Sequence, residues 1–132
     1  FSGSGSFGLE AISRGAKKCL FVENYPNALL SLDKNIKNLK CQKNSHLHKL
    51  DCFKFIENIQ KNELKLDIIF LDPPYREERI NFIIEEILKK NILNKNGIIV
   101  VHRHKKDNIK LTKKLKILDL RLYGISKIIF AN

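Results

Sequence analysis

The segment Leu66-Asp67-Ile68-Ile69-Phe70-Leu71-Asp72-Pro73-Pro74-Tyr75 is an apolar strand that stops at two consecutive prolines. Proline has no backbone N–H and a fixed φ, so a central strand cannot continue through the pair. Asp72 and Tyr75 are thereby presented on a stiff loop at the carboxyl end of a strand. The chemistry that suits such a loop is methylation of an amino group attached to a nucleobase. The lone pair of that nitrogen is delocalised into the ring, which makes it a poor nucleophile. If the Asp72 carboxylate and the Pro73 carbonyl each accept one of its N–H groups, the nitrogen is drawn toward a pyramidal geometry with its lone pair aimed at a methyl sulfonium. Tyr75 can stack on the base to hold it. The plain alternative is a turn carrying an incidental acid. Hydride transfer has no use for this set.

A second set lies at the opening of the chain. Phe1-Ser2-Gly3-Ser4-Gly5-Ser6-Phe7-Gly8 gives Gly-x-Gly-x-x-Gly directly before a helix predicted to end near Arg14, with Gly15 as its C-cap. Glycines there let the backbone approach a nucleotide-like ligand, although small-residue loops also serve simply as strand-to-helix turns. Glu23 closes the next predicted strand, 20 residues after Gly3. A carboxylate at that position can accept hydrogen bonds from both ribose hydroxyls of an adenosine-containing cofactor; otherwise it is a solvated surface acid. The pair does not separate a nicotinamide cofactor from S-adenosylmethionine, since both carry an adenosine ribose. Asp51 follows the next strand and either meets the adenine amino group or N-caps the helix containing Cys52 and Phe55.

The elements that must position these residues alternate between β-branched runs and helical stripes, the pattern of an α/β fold with a mostly parallel sheet. Strands are predicted at Cys19–Glu23, His46–Leu50, Leu66–Leu71 and Gly97–His102. Leu29, Leu32, Ile36 and Leu39 make one helical stripe, with Pro26 at a first turn. Cys52, Phe55, Ile56 and Ile59 make a second, and Ile80, Ile83, Ile84, Ile87 and Leu88 the cleanest third. Ile117–Tyr123 and Ser126–Phe130, separated by a turn at Gly124, predict a closing antiparallel hairpin. In such a mixed sheet, ligands belong outside the carboxyl ends of the parallel strands.

At 132 residues, 43% hydrophobic and 30% charged, the chain is sized for one domain and is neither disordered nor a coiled coil in composition. No apolar run reaches the length of a membrane span, and three cysteines, Cys19, Cys41 and Cys52, lack any CxxC spacing. A cytoplasmic protein without disulfides, without a membrane and without a metal is expected. A net charge of +11 favours a polyanionic partner, although Lys outnumbers Arg by 20 to 5, as A/T-rich codons alone would produce. The chain contains no methionine and starts inside its glycine motif, which reads as a fragment cut at its N-terminus, without the first strand.

Together these residues resemble the class I S-adenosylmethionine-dependent amino-methyltransferases, and more narrowly the family that methylates the N2 of guanine 966 in bacterial 16S ribosomal RNA. The residues that carry the resemblance are Phe1 to Ala11, Ser13-Arg14-Gly15-Ala16, Phe21-Val22-Glu23, Asp51 and Phe70-Leu71-Asp72-Pro73-Pro74-Tyr75. The proline motif is shared with DNA adenine and cytosine amino-methyltransferases. The resemblance implies a Rossmann-like sheet, S-adenosylmethionine as cofactor, Gly3 and Gly5 along its methionine part, Glu23 on ribose, Asp51 by adenine, and Asp72, Pro73 and Tyr75 at the target amine. It also implies an acidic residue on a preceding strand and a basic N-terminal arm, both before Phe1. The chain departs from the family at His102, where Glu is usual.

Arg76 and Arg79 follow the proline motif, and Arg103 and Lys105 follow a strand whose carboxyl end faces the same site; these four could contact RNA phosphates or form a solvated loop. His46-x-His48 and His102-x-His104 have a spacing that can bind metal but lack companions to complete a set. Ribosomal RNA, presented in a partly assembled small subunit to a monomeric enzyme, is the expected partner. The competing functions are DNA adenine-N6 or cytosine-N4 methylation and a nicotinamide-binding or catalytically silent nucleic-acid-binding domain.

Overall fold

A computed structural model describes residues 1–107 and 110–132 and divides into two units, residues 1–55 and 56–132. In the first unit the glycine loop leads into α1 (Ser6–Ser13), followed by β1 (Cys19–Glu23), α2 (Pro26–Asn38), a 3-10 turn and β2 (Ser45–Lys49). β1 and β2 pair in parallel, with Cys19 opposite Ser45 and Glu23 opposite Lys49. Pro26 stands at the start of α2, where its missing N–H costs nothing. Leu9, Phe21, Leu32, Ile36 and Cys41 form the buried cluster of this unit. α3 (Cys52–Asn58) begins at its end.

Gly8 is required by that cluster. A Cβ on Gly8 would lie 2.4 Å from Phe21 Cε1 and 2.5 Å from Cys19 Sγ, so α1 rests on β1 through bare backbone. None of the cysteines is paired, and burial, then the neighbouring Cys41, pushes the Cys19 thiol up to about 11, the mark of a packing residue rather than a reactive one.

The second unit contains β3 (Leu66–Leu71), α4 (Ile80–Lys89), β4 (Leu93–His104), β5 (Ile117–Tyr123) and β6 (Ser126–Ala131). Their sheet runs in the order β3-β4-β6-β5, with β3 and β4 parallel and β6 antiparallel to both its neighbours. The predicted α/β pattern with a closing hairpin is therefore present. Gly124 takes φ +56° in the hairpin turn, and β5 is an edge strand exposed throughout. α4 buries Ile80, Ile83, Ile84 and Ile87, as its periodicity predicts.

Three helices end alike. Ala16 donates its N–H to Ala11, Cys41 to Ile36 and Ile92 to Ile87, each across a residue with positive φ, namely Gly15, Lys40 and Asn91. This is the closure in which the second residue beyond the cap returns to the helix and packs there. It explains why Leu39, expected on the buried stripe of α2, is 63% exposed: the helix caps at Leu39, the chain turns at Lys40, and Cys41 enters the core instead. The other differences from expectation are boundaries. β2 begins and ends one residue earlier, and β4 starts at Leu93, four residues before Gly97, with an irregular register between Leu66 and Ile68. Among the described residues no helix is long and apolar enough to cross a membrane, and no three His, Cys, Asp or Glu side chains gather as a metal-ion group.

The Gly8 contact generates a test. Gly8→Ala should destabilise the protein by about 1–3 kcal/mol in urea unfolding, the range for forcing a methyl into a packed contact, whereas a change below about 0.5 kcal/mol, as for an ordinary surface site, would show that α1 can lift off β1 without cost.

Candidate functional site

In the first unit, the carboxyl end of β1 and the glycine loop converge on Glu23. Gly3 N–H donates to Glu23 Oε2 at 2.8 Å, and the N–H groups of Asn24 and Tyr25 donate to Oε1 at 2.9 Å each. Ser2 docks the loop on the same strand, donating its N–H to Val22 O and accepting Val22 N–H on its hydroxyl. Glu23 is a buried charge, 8% exposed. Burial alone would raise its pKa, but the three backbone donors from Tyr25, Gly3 and Asn24 outweigh that and hold it below the ordinary glutamate value. A carboxylate fixed in this way keeps acceptor capacity on Oε2 for a ligand hydroxyl.

The two glycines predicted beside the ligand differ. Gly3, at φ +54°, would carry a Cβ into open space, so its exposed face is available to a bound group. Gly5 is buried at the start of α1, at φ +82°, and a Cβ there would lie 2.3 Å from Leu32 Cδ1. Gly5 serves the packing of this unit first. Asp51 takes the capping role: its Oδ1 accepts the N–H groups of Phe53 at 2.9 Å and Lys54 at 3.3 Å. Its Oδ2 receives a long hydrogen bond of 3.5 Å from Asn24 Nδ2, which leaves that oxygen oriented toward the loop after Glu23.

In the second unit, β3 ends at Leu71 and delivers Asp72, Pro73, Pro74 and Tyr75 into a loop, with Pro73 buried and Tyr75 48% exposed. The register of β3 on β4 pairs Leu71 with Val101, so the next residues, Asp72 and His102, are side by side on one face. Asp72 Oδ1 lies 2.8 Å from His102 Nδ1, and His102 Nε2 lies 2.9 Å from Ser126 Oγ. Tyr75 meets the rings of His104 at 5.3 Å and His102 at 6.3 Å edge-on. His102 was the departure from the family pattern, and its bond to Asp72 was not foreseen.

Arg103 corrects an expectation. The sequence puts it on a surface loop, either contacting RNA phosphates or simply solvated, yet it is 1% exposed. Its Nη1 donates to Pro74 O at 3.2 Å, its Nη2 to Tyr75 O at 2.8 Å, and its Nε to the Asp107 carboxylate. It braces the proline loop from beneath. Alternation along β4 puts Arg103 on the side of Ile99 and Val101, opposite His102. Arg76 and Lys105 are exposed. Arg79 is exposed too, but its guanidinium binds Glu77 through Nε at 2.9 Å and Nη2 at 2.8 Å, and that contact above all holds the Glu77 carboxyl below its usual value.

A parallel strand ending in an acid-proline loop and a glycine loop anchored on an acid at the end of β1 are features of one class, the class I S-adenosylmethionine-dependent methyltransferase fold. The S-adenosylhomocysteine-bound methyltransferase PaMTH1 of Podospora anserina has this fold in common with the chain, at a TM-score of 0.74 over 98% of this chain and 68% of its own, with 14% identity. Within that class the chain belongs to the family described as conserved hypothetical protein 95, which it matches over residues 1–132. It is 35% identical over 106 residues to ribosomal RNA small subunit methyltransferase D of Haemophilus influenzae, covering 80% of this chain and 54% of that protein. The structure of a conserved hypothetical protein of Streptococcus pyogenes matches it with a TM-score of 0.89 at 31% identity, over 100% of this chain and 82% of that one. The chain spans about half the length of the first curated relatives it matches.

Two expected outcomes follow from this geometry. Because the folded pKa of Glu23 is depressed, its contribution to stability is present above the unfolded value and is lost as pH falls through the folded one. Unfolding free energy measured from about pH 5 down to about pH 3, the range around a free glutamate, should fall more steeply for the wild type than for Glu23→Gln; parallel slopes would contradict the three-donor cradle. Arg103→Leu should cost about 3 kcal/mol or more in urea unfolding, because the loop carbonyls of Pro74 and Tyr75 and the Asp107 carboxylate all lose the buried guanidinium, and should open the 72–79 loop to limited proteolysis. A change within about 0.5 kcal/mol, as expected of a surface arginine, would contradict the brace.

Proposed function

We propose that this chain carries the S-adenosylmethionine-dependent methyl-transfer activity of an enzyme that modifies small-subunit ribosomal RNA, and that its target is the exocyclic N2 amine of a guanine. The observation that carries the reading is the Asp72-Pro73-Pro74-Tyr75 loop, with its acid and aromatic exposed and its backbone braced by Arg103. The residues fit the cofactor: Gly3 offers an open face, Glu23 is a preset carboxylate that would take the ribose hydroxyls, and Asp51 Oδ2, which meets only a long contact from Asn24, would take the adenine amino group. Bound there, S-adenosylmethionine supplies an electrophilic sulfonium methyl.

The chain's own residues supply position. Asp72 and the Pro73 carbonyl accept the two amine N–H groups and turn the nitrogen lone pair out of conjugation, while Tyr75 holds the base. Asp72 does not need to be a strong base beforehand, because the nitrogen becomes acidic once methylated. RNA is favoured as substrate by the name of the Haemophilus influenzae relative and by the +11 charge, with exposed Arg76 and salt-bridged Arg79 just after the loop in sequence and exposed Lys105 just after β4. A base whose amine must reach this loop is best presented unpaired, as in a partly assembled subunit in the cytoplasm, and a monomer suffices for that encounter.

Full-length protein incubated with methyl-labelled S-adenosylmethionine and small-subunit particles from a strain lacking the activity should label the RNA at a guanine, at a rate that falls with salt. Asp72→Ala should depress turnover far more than cofactor affinity, and Glu23→Ala should weaken cofactor binding by about 1–3 kcal/mol, the range for a lost charged hydrogen bond. Label at adenine or cytosine of duplex DNA would move the substrate to DNA, and tight binding of NAD with none of S-adenosyl compounds would overturn the cofactor.

A further inference from the structure

The loop acid is not isolated. Parallel pairing of β3 on β4 puts Asp72 beside His102, and antiparallel pairing of β6 on β4 puts Ser126 opposite His104, diagonal to His102 on the same face. The three side chains therefore make a row, Asp72 Oδ1 to His102 Nδ1 at 2.8 Å and His102 Nε2 to Ser126 Oγ at 2.9 Å.

The chemistry of the row fixes its protons. A carboxylate only accepts, so the Asp72 contact requires a hydrogen on Nδ1. In the neutral ring Nε2 then has none, and Ser126 donates its hydroxyl hydrogen to it. Exposure fixes which end acts. The Asp72 side chain is 44% exposed and that of His102 20%, while Ser126 is half-buried inside a strand pair. In a nucleophilic serine array the acid is the buried end and the serine the open one. Here the order is reversed, so Ser126 is the anchor and Asp72 the working group.

We propose that His102 is a positioning residue for the amine-binding acid: oriented by Ser126, it donates Nδ1–H to Asp72 Oδ1 and so leaves Oδ2 as the oxygen that meets the substrate amine. This rests on the proposed methyl-transfer reading. Among the described residues the Asp72 carboxylate has no other hydrogen-bond or ion-pair partner. Without His102 the side chain is free to rotate, and the lone-pair alignment that makes a conjugated amine reactive is lost even though the acid remains. The edge contacts of Tyr75 with the His102 and His104 rings connect the base-stacking group to the same support.

The test has two arms on the full-length protein. In nitrogen-15 spectra taken once the ring is titrated neutral, His102 should be the Nδ1–H tautomer, and Asp72→Ala should return it to the mixture of a free histidine; an Nε2–H tautomer in the wild type would overturn the proposal. In methyl-transfer assays His102→Asn, whose amide can stand near Nδ1 and keep a donor for Asp72, should stay within about 3-fold of wild-type kcat. His102→Gln and His102→Phe should lose about 10- to 100-fold, as misplacement of a reacting group does, with KM for S-adenosylmethionine unchanged. Wild-type kcat in the Gln and Phe variants, or equal losses in all three, would reject the positioning role. A wild type that methylates no RNA or DNA would instead reject the proposed function, and the spectra then decide the link between His102 and Asp72 independently.

Discussion

A guanidinium stays charged at any pH a folded protein meets, and its burial is tolerated only when its donors find acceptors. Arg103 finds them in the carbonyls of Pro74 and Tyr75 and in Asp107. The two prolines create the complementary need, since they end the strand ladder and leave loop carbonyls that no neighbouring strand can satisfy. Glu77 N–H meets Pro74 O at 2.8 Å from one side, and Arg103 meets it from another. The loop is thus held at its backbone, so Asp72 and Tyr75 can stay partly exposed while touching the histidines of β4.

The same strand organises the opposite face. Successive residues of β4 point to opposite sides, so Arg103 reaches under the loop while His102 lies beside its acid. Both contacts depend on Leu71 standing opposite Val101. A slip of one residue would send the arginine to the half-exposed side and the histidine inward. The apolar residues Ile99 and Val101, both buried, make that slip costly, so the hydrophobic pattern of β4 also determines the polar geometry at its end.

Much of this was legible in the residues. The double proline marked the end of β3 at the right residue, the period of Ile80, Ile83, Ile84 and Ile87 marked α4, and the separation of Gly3 and Glu23 proved to be a hydrogen bond of 2.8 Å. Leu39 was misplaced because a helix stripe continues in sequence past the point where a positive-φ residue turns the chain. Arg103 was misread because a run of four basic residues looks like surface. The signal against that reading was present in the alternation of Ile99, Val101 and position 103, which continues the buried side of the strand. The bond between Asp72 and His102 joins residues 30 apart, and no periodicity contains it. It follows only when the ends of two strands are set in register.

The glycines of the opening loop carry the point further. A Gly-x-Gly-x-x-Gly pattern is commonly read as three backbone approaches to a ligand, yet two of the three here are occupied by the protein itself, Gly5 against Leu32 and Gly8 against Phe21 and Cys19. Gly5 lets the start of α1 lie against α2, and Gly8 lets α1 lie on β1, whatever the loop bound. Gly3 alone faces open space, and it is also the residue whose N–H holds Glu23. What the motif leaves open is therefore one glycine and one acid 20 residues away, joined by a bond that fixes the carboxylate in place.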